Sequence, residues 1–201
     1  MLERKKTLQK HDSFECVALI VDINGSEKII AAQEQNLIAQ FFRDILVGSI
    51  NAVEAAGGSV IGFMGDGFAA VLPSEQNAGE ACFGIAHDMR KLRDYLDADG
   101  PQVWPALKQG IGLKIGIERG ILDTSSVECN FLGEQPYFVE PPTVYASRIM
   151  SFGKGDRCVV GPNAAARWPF GRLSRPFRGR LKHQRISYVY HFFDIEEIWT
   201  E

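Results

Sequence analysis

Residues 14–23, FECVALIVDI, are an apolar, β-branched run, and no other feature of the sequence restricts the fold as much. A run of this kind reads as a strand buried within a sheet. It ends at Asp22-Ile23-Asn24-Gly25, a turn signal. A helical pattern follows, in which Leu37/Ile38, Phe41/Phe42, Ile45/Leu46, Ile50 and Val53 recur every three to four residues on one face. Gly57-Gly58 stops that helix. Ser59 to Met64 reads as a strand, Gly65-Asp66-Gly67 as a tight turn and Phe68 to Leu72 as the returning strand. Pro73-Ser74 opens a second helix, whose face is Cys82, Ile85, Met89, Leu92 and Leu96.

Beyond the loop of residues 97–105, Gly110 to Ile117 is strand-like, and Val127 to Phe138 reads as a strand or hairpin. Pro141-Pro142 starts a short helix carrying Tyr145, Ala146, Arg148 and Ile149. Arg157 to Val160 is a strand, and Phe177 to Phe193 is a final hairpin. This element order predicts an α/β (α+β) fold with a mixed sheet.

At 201 residues and 45% hydrophobic content, the chain supports one sizeable core and a single domain. A charged fraction of 23% and a net charge of −3 are those of an ordinary soluble protein, with no global sign of a membrane or nucleic-acid surface. The opening MLERKKTLQKHD is basic with no apolar run behind it, unlike a secretory signal. The apolar stretch Val17 to Val21 is too short to span a bilayer. Cys16, Cys82, Cys129 and Cys158 are scattered without a CxxC pair and read as reduced thiols, so a cytoplasmic location is expected. Residues 154–185 hold nine Lys/Arg against the single acid Asp156. That cluster reads as a solvated basic face, and it lacks the aromatic pattern of a stable nucleic-acid site.

Two carboxylates stand out. Asp22 sits where the buried strand gives way to a turn, and Asp66 sits at the tip of a glycine-flanked hairpin. If the two strands are neighbours, both carboxylates meet at one edge of the sheet. Mg²⁺ and Mn²⁺ take hard oxygen ligands, typically one or two carboxylates completed by phosphate oxygens. Aspartate is also common in turns for local hydrogen-bonding reasons, so the pair, not either residue alone, carries the metal reading.

VALIVDINGS resembles the first-strand motif of class III adenylate and guanylate cyclases, and GGSVIGFMGDGFAAVL is similar to that family's second metal hairpin. LKIGIERGIL, TVYASRIM and FRGRLKHQRISYVYHF resemble, in order, the following strand, the helix of the catalytic arginine and the closing hairpin. The resemblance spans residues 14–193, implying a catalytic domain there, with an N-terminal extension at 1–13 and an acidic tail at 194–201. It implies the class III fold, a ferredoxin-like mixed β-sheet with flanking helices. It also implies a homodimer with shared sites, in which Asp22 and Asp66 come from one subunit and Arg148 from the other. Asp22, Asp66 and the Ile23 carbonyl would hold two Mn²⁺ or Mg²⁺ ions per site. Asn24, Gly25, Ser26 and Glu27, with Gly65 of the hairpin, would face the phosphates of a nucleoside triphosphate. Arg148 would stabilise the transferring α-phosphate, and Lys182 or Arg185 would reach the triphosphate.

The purine-reading positions depart from the family pattern. Gly62 replaces a lysine or glutamate, Tyr137 replaces an aspartate or cysteine, and Val144, beside Thr143, replaces the ribose-orienting asparagine. With the catalytic positions kept, the chain is most similar to the pyrimidine cyclases of the Pycsar anti-phage systems. That resemblance implies a uridylate cyclase whose cyclic UMP acts on a separate effector, with cytidylate second. A purine cyclase and a non-catalytic nucleotide-binding homologue are the alternatives, and a polymerase-palm nucleotidyltransferase shares the two-carboxylate logic.

Overall fold

The apolar run becomes β1 (Asp12–Asn24), which lies inside the sheet between two antiparallel neighbours. The computed structural model describes residues 12–27, 30, 35–98, 112–129, 133–139, 141–153, 157–171, 173–182 and 186–194. Most of the N-terminal extension, most of the acidic tail, most of the 97–105 loop and Arg185 lie outside the described residues. The remaining elements are α1 (Gln35–Ala55), β2 (Ser59–Met64), β3 (Gly67–Leu72), α2 (Glu75–Ala98), β4 (Gly112–Cys129), β5 (Gly133–Val139), α3 (Pro141–Met150), β6 (Arg157–Val160), α4 (Pro162–Ala165), β7 (Phe177–Arg180) and β8 (Ser187–Asp194). The strands run in the order β2-β3-β1-β4-β6-β8-β7, with β5 paired to the far end of β4. Only the β4–β6 pair is parallel among them, so the sheet is mixed.

Every residue from Cys16 to Val21 is buried because helices cover both faces of β1. Side chains of a strand alternate between faces. Val17, Leu19, Val21 and Ile23 point toward α1 and α2 and join Ile45, Val53, Ile85 and Met89 in the main core. Ile20 points the other way and packs with Ala69 and with Ala146 of α3. A strand covered on both faces needs no polar alternation, which explains its continuous apolar character.

Glycine lets α3 seat directly on the sheet. A Cβ at Gly116 would fall 2.2 Å from the Ala146 carbonyl oxygen, and one at Gly120 would fall 3.0 Å from Pro142. At the other end of the core, the Phe170 ring covers Gly79 of α2 and meets Phe83 edge-on at 5.0 Å. Trp168 meets Phe193 similarly at 5.1 Å. Phe193 is fully buried, and its loss to alanine would cost about 3–5 kcal/mol.

Two elements depart from the sequence pattern. Residues 110–138 read as a short strand and a later strand or hairpin, whereas β4 is one 18-residue strand. Its first part pairs with β1 as far as Thr124, and β5 takes over from Asp123, so the ladder continues where the hydrophobic pattern fades. The four-residue α4 was not expected, being too short to show a helical period. Among the described residues no helix is long and apolar enough to cross a membrane.

Candidate active site

The β2–β3 hairpin sets the geometry of the carboxylate pair. Its turn is Gly65-Asp66, between the paired residues Met64 and Gly67, and Gly65 has φ +67°. A left-handed backbone of this kind favours glycine. Gly67 lies against β1 so closely that a Cβ would sit 2.3 Å from the Val21 carbonyl oxygen and 3.2 Å from the Asp22 Cα. This contact brings Asp66 beside Asp22, close enough for the two carboxyls to interact. Burial pushes the Asp22 carboxyl above the ordinary aspartate value, the charge of Asp66 adds to the push, and Lys114 opposes it. Lys114 stands directly across the β1–β4 ladder from Asp22.

Asp66 Oδ2 is buried and has no hydrogen-bond partner within the protein. A buried carboxylate oxygen without a partner is costly, and like charges at this separation repel. A hard divalent cation relieves both penalties, so the donor set fits Mg²⁺ or Mn²⁺. No group of three or more His, Cys, Asp or Glu with metal-binding geometry exists among the described residues. Backbone carbonyls, water and substrate oxygens are groups able to complete the shell of a cation at this pair.

The turn after β1 follows the expected course. Asn24 ends the strand opposite Gly112, Gly25 has φ +79°, and Ser26 and Glu27 enter a helical turn. The Ile23 side chain is buried in the core, which leaves its backbone as the group able to face a ligand.

Arg148 is not brought to the carboxylates. Its Nη donates a 2.6 Å hydrogen bond to the Tyr188 hydroxyl on β8, three strands from β1. Ile117 pairs with Val160 and Val160 with His191, so continuing this register puts Tyr188 level with Gly120, well along β4 from Lys114. With ~4.8 Å between strands and ~3.4 Å per residue, Tyr188 and Asp22 are separated by roughly 25 Å. Lys182 is exposed in the turn beyond β7, at the same end of the sheet as Tyr188. Within one chain, the Arg148 guanidinium is thus engaged on β8 and not on the Asp22–Asp66 pair.

The three base-pocket candidates are also dispersed. Gly62 lies on the edge strand β2, and nothing comes within 4 Å of where its Cβ would be. Val144 is 48% exposed on α3. Tyr137 is on β5 opposite Ser125, and its side chain lies outside the described residues. Sequence reasoning missed Lys114 and Tyr188. Lys114 becomes visible only through the strand register, and Tyr188 only through the packing of α3 on β8.

No protein-family model matches the sequence, and none of the curated proteins matches it. Solved structures do. The guanylyl cyclase Cya2 superposes with a TM-score of 0.75 at 14% identity, over 92% of this chain and 93% of that one. The adenylyl cyclase CyaB from P. aeruginosa gives the same TM-score and identity, over 92% and 97%. The fold is that of class III nucleotidyl cyclase domains. A class III adenylyl cyclase-like ATP-binding protein from Pseudomonas aeruginosa also shares it, with a TM-score of 0.65 at 16% identity over 78% of this chain and 35% of that one.

Proposed function

We propose that the chain is a homodimeric nucleotidyl cyclase that closes a nucleoside triphosphate, UTP by preference, into its 3′,5′-cyclic monophosphate and releases pyrophosphate. The observation that carries this reading is the Asp22–Asp66 pair with its orphaned carboxylate oxygen, on a class III fold. Asp22, Asp66 and the Ile23 carbonyl would hold two Mn²⁺ or Mg²⁺ ions per site. The chemistry such ions supply when bound is activation of the attacking 3′-hydroxyl and charge balance on the leaving pyrophosphate.

The protein's own groups do the rest. The Asn24–Glu27 turn and Gly65 offer backbone amides to the β- and γ-phosphates. Arg148 from a second subunit reaches the α-phosphate, where charge builds in the transition state. Lys182 or Arg185 of that subunit meets the triphosphate. Engagement of Arg148 on Tyr188, and not on the Asp22–Asp66 pair of its own chain, supports this head-to-tail arrangement, in which each of the two sites draws on both copies.

Base choice rests on chemistry at three positions. Gly62 offers no side chain to a purine edge, and Val144 offers no amide to the ribose. Tyr137 supplies a bulky ring with a hydroxyl, suited to a one-ring base. The similarity to Pycsar cyclases adds an anti-phage role, with cyclic UMP as a messenger to a separate effector. The ATP-binding class III neighbour favours a second reading, a nucleotide-binding domain without turnover.

Incubation with equal concentrations of the four NTPs and Mn²⁺, followed by mass spectrometry, tests these readings together. Dominant cyclic UMP is the expected product. Dominant cyclic AMP or cyclic GMP would remove the pyrimidine assignment and leave the cyclase. Nucleotide binding with no pyrophosphate released would leave only the binding domain.

A further inference from the structure

We propose that Tyr188 is the positioning residue for Arg148. The kinetic consequence rests on the cyclase reading above, whereas the hold itself rests on packing between α3 and β8. These two elements brace each other in both directions. From the helix, the Tyr145 hydroxyl donates to the Val189 carbonyl at 3.0 Å and accepts the Val189 N–H at 3.1 Å. One hydroxyl thereby fills both main-chain hydrogen-bonding positions of a strand residue, at a level beyond the end of β6. From the strand, the Tyr188 hydroxyl accepts the Arg148 Nη–H at 2.6 Å, with the guanidinium carbon 5.9 Å from the ring centroid. Residues 145 and 148 lie about one turn apart on the same helix, so fixing the first fixes the register of the second.

The phenol that receives Arg148 has little freedom of its own. Tyr188 is 2% exposed. Its ring meets Tyr145 edge-on at 5.4 Å and Phe152 at 6.5 Å, while Phe152 stacks on Tyr190 at 4.7 Å. A group that acts on a transition state must already be in place, and a side chain locked by its neighbours meets that need.

A second arginine shows what is distinctive in this contact. Arg119 is held by Glu15 through Nε at 2.8 Å and by both oxygens of Glu75 at 2.8 Å, so its charge is matched twice over. Among the described residues no carboxylate forms an ion pair with Arg148. A neutral phenol engages one of its five N–H donors and leaves the positive charge and the other donors for phosphate. Arg119 is thus built to join elements, and Arg148 is held without being neutralised.

Tyr188→Phe keeps the ring and removes the acceptor, so it tests the hold while sparing the packing. In the homodimer with Mn²⁺ and its best NTP, kcat is expected to fall about tenfold, the scale of one charge-assisted hydrogen bond. KM stays within about twofold, as for an interaction made only in the transition state. In the Arg148→Ala background, Tyr188→Phe is expected to cost nothing further in kcat. A full, additive loss there would overturn the proposal, because Tyr188 would then act through something other than Arg148. Unchanged kcat in the single variant would overturn it as well. Nitrogen-15 NMR of the Arg148 side chain provides an arm that needs no turnover. The wild-type guanidinium signal is expected to show slow rotation, and Tyr188→Phe to free it. If the wild type forms no cyclic nucleotide, the cyclase reading falls, and identical guanidinium spectra would separately overturn the positioning role.

Discussion

A Cβ at residue 67 has no place to go, and this one steric fact brings two acids together. Gly67 rests on the Val21 carbonyl, the turn closes at Gly65, and Asp66 is left against Asp22 with an oxygen unpartnered. The arrangement is unfavourable for the protein alone, and the proposed divalent cations would relieve it. Asp22→Ala and Asp66→Ala are each expected to lower cyclase activity by at least roughly 10²–10³-fold, the scale of losing one preorganised electrostatic group. Their melting temperatures should equal or exceed the wild-type value, because each removes half of a repelling pair. Calorimetry beside a pyrophosphate-release assay checks both halves, and a variant that still cyclises at near wild-type rate would exclude the two-metal site. Gly62 presents the opposite situation, since open space surrounds its missing side chain. Gly62→Lys is therefore expected to fold normally and to raise the yield of purine cyclic nucleotides relative to cyclic UMP. An unchanged product ratio in the four-NTP competition would remove Gly62 from the base pocket.

Between elements, Glu118 joins β4 to the start of α4. Its Oε1 accepts N–H bonds from Arg119 at 2.8 Å, Asn163 at 3.1 Å and Ala164 at 3.1 Å. Its Oε2 is buried without a partner, beside Gly161, where a Cβ would fall 2.2 Å away. Burial pushes this carboxyl up to about 6, against the pull of the three N–H bonds, and the charge of Glu75 adds to the push. A folded value above the unfolded one means that folding takes up a proton. The associated stability is present below about pH 4.5 and is lost as pH rises through about 6. For a residue only 2% exposed the amount is roughly 2 kcal/mol. Glu118→Gln should flatten the stability curve between these pH values relative to wild type, as read by urea denaturation at closely spaced pH. Parallel curves for the two proteins would rule out Glu118 as the source of the slope.

Across the whole molecule, the acids stand at the Asn24 end of β1, whereas the Arg148 guanidinium is engaged on Tyr188 of β8 and Lys182 lies in the turn beyond β7. In the proposed head-to-tail dimer, a second copy would supply the group that each half-site lacks. Mixing the Asp66→Ala and Arg148→Ala proteins puts both lesions in one site of a mixed dimer and leaves the other site intact. Random exchange makes half of the dimers mixed, so recovery of about a quarter of wild-type activity is expected. Activity that stays at background after subunit exchange has been verified by native mass spectrometry would refute the shared site.

The sequence by itself determined the local elements and the placing of the two acids at a strand end and a hairpin turn. β1, the β2–β3 hairpin, the α2 face and the closing hairpin all follow from short-range periodicity and turn residues. Asp22 and Asp66 were legible because strand ends and glycine turns are local features. Only the tertiary structure decided the length of β4, whose pairing passes from β1 to β5 where no hydrophobic period marks the change. It alone placed Lys114 opposite Asp22, since register joins residues that are far apart in the chain. It alone set Arg148 on Tyr188, because the glycines of β4 allow α3 to approach the sheet closely enough for that contact. Periodicity tells which face a residue occupies, whereas the partner it meets there depends on how separate elements pack.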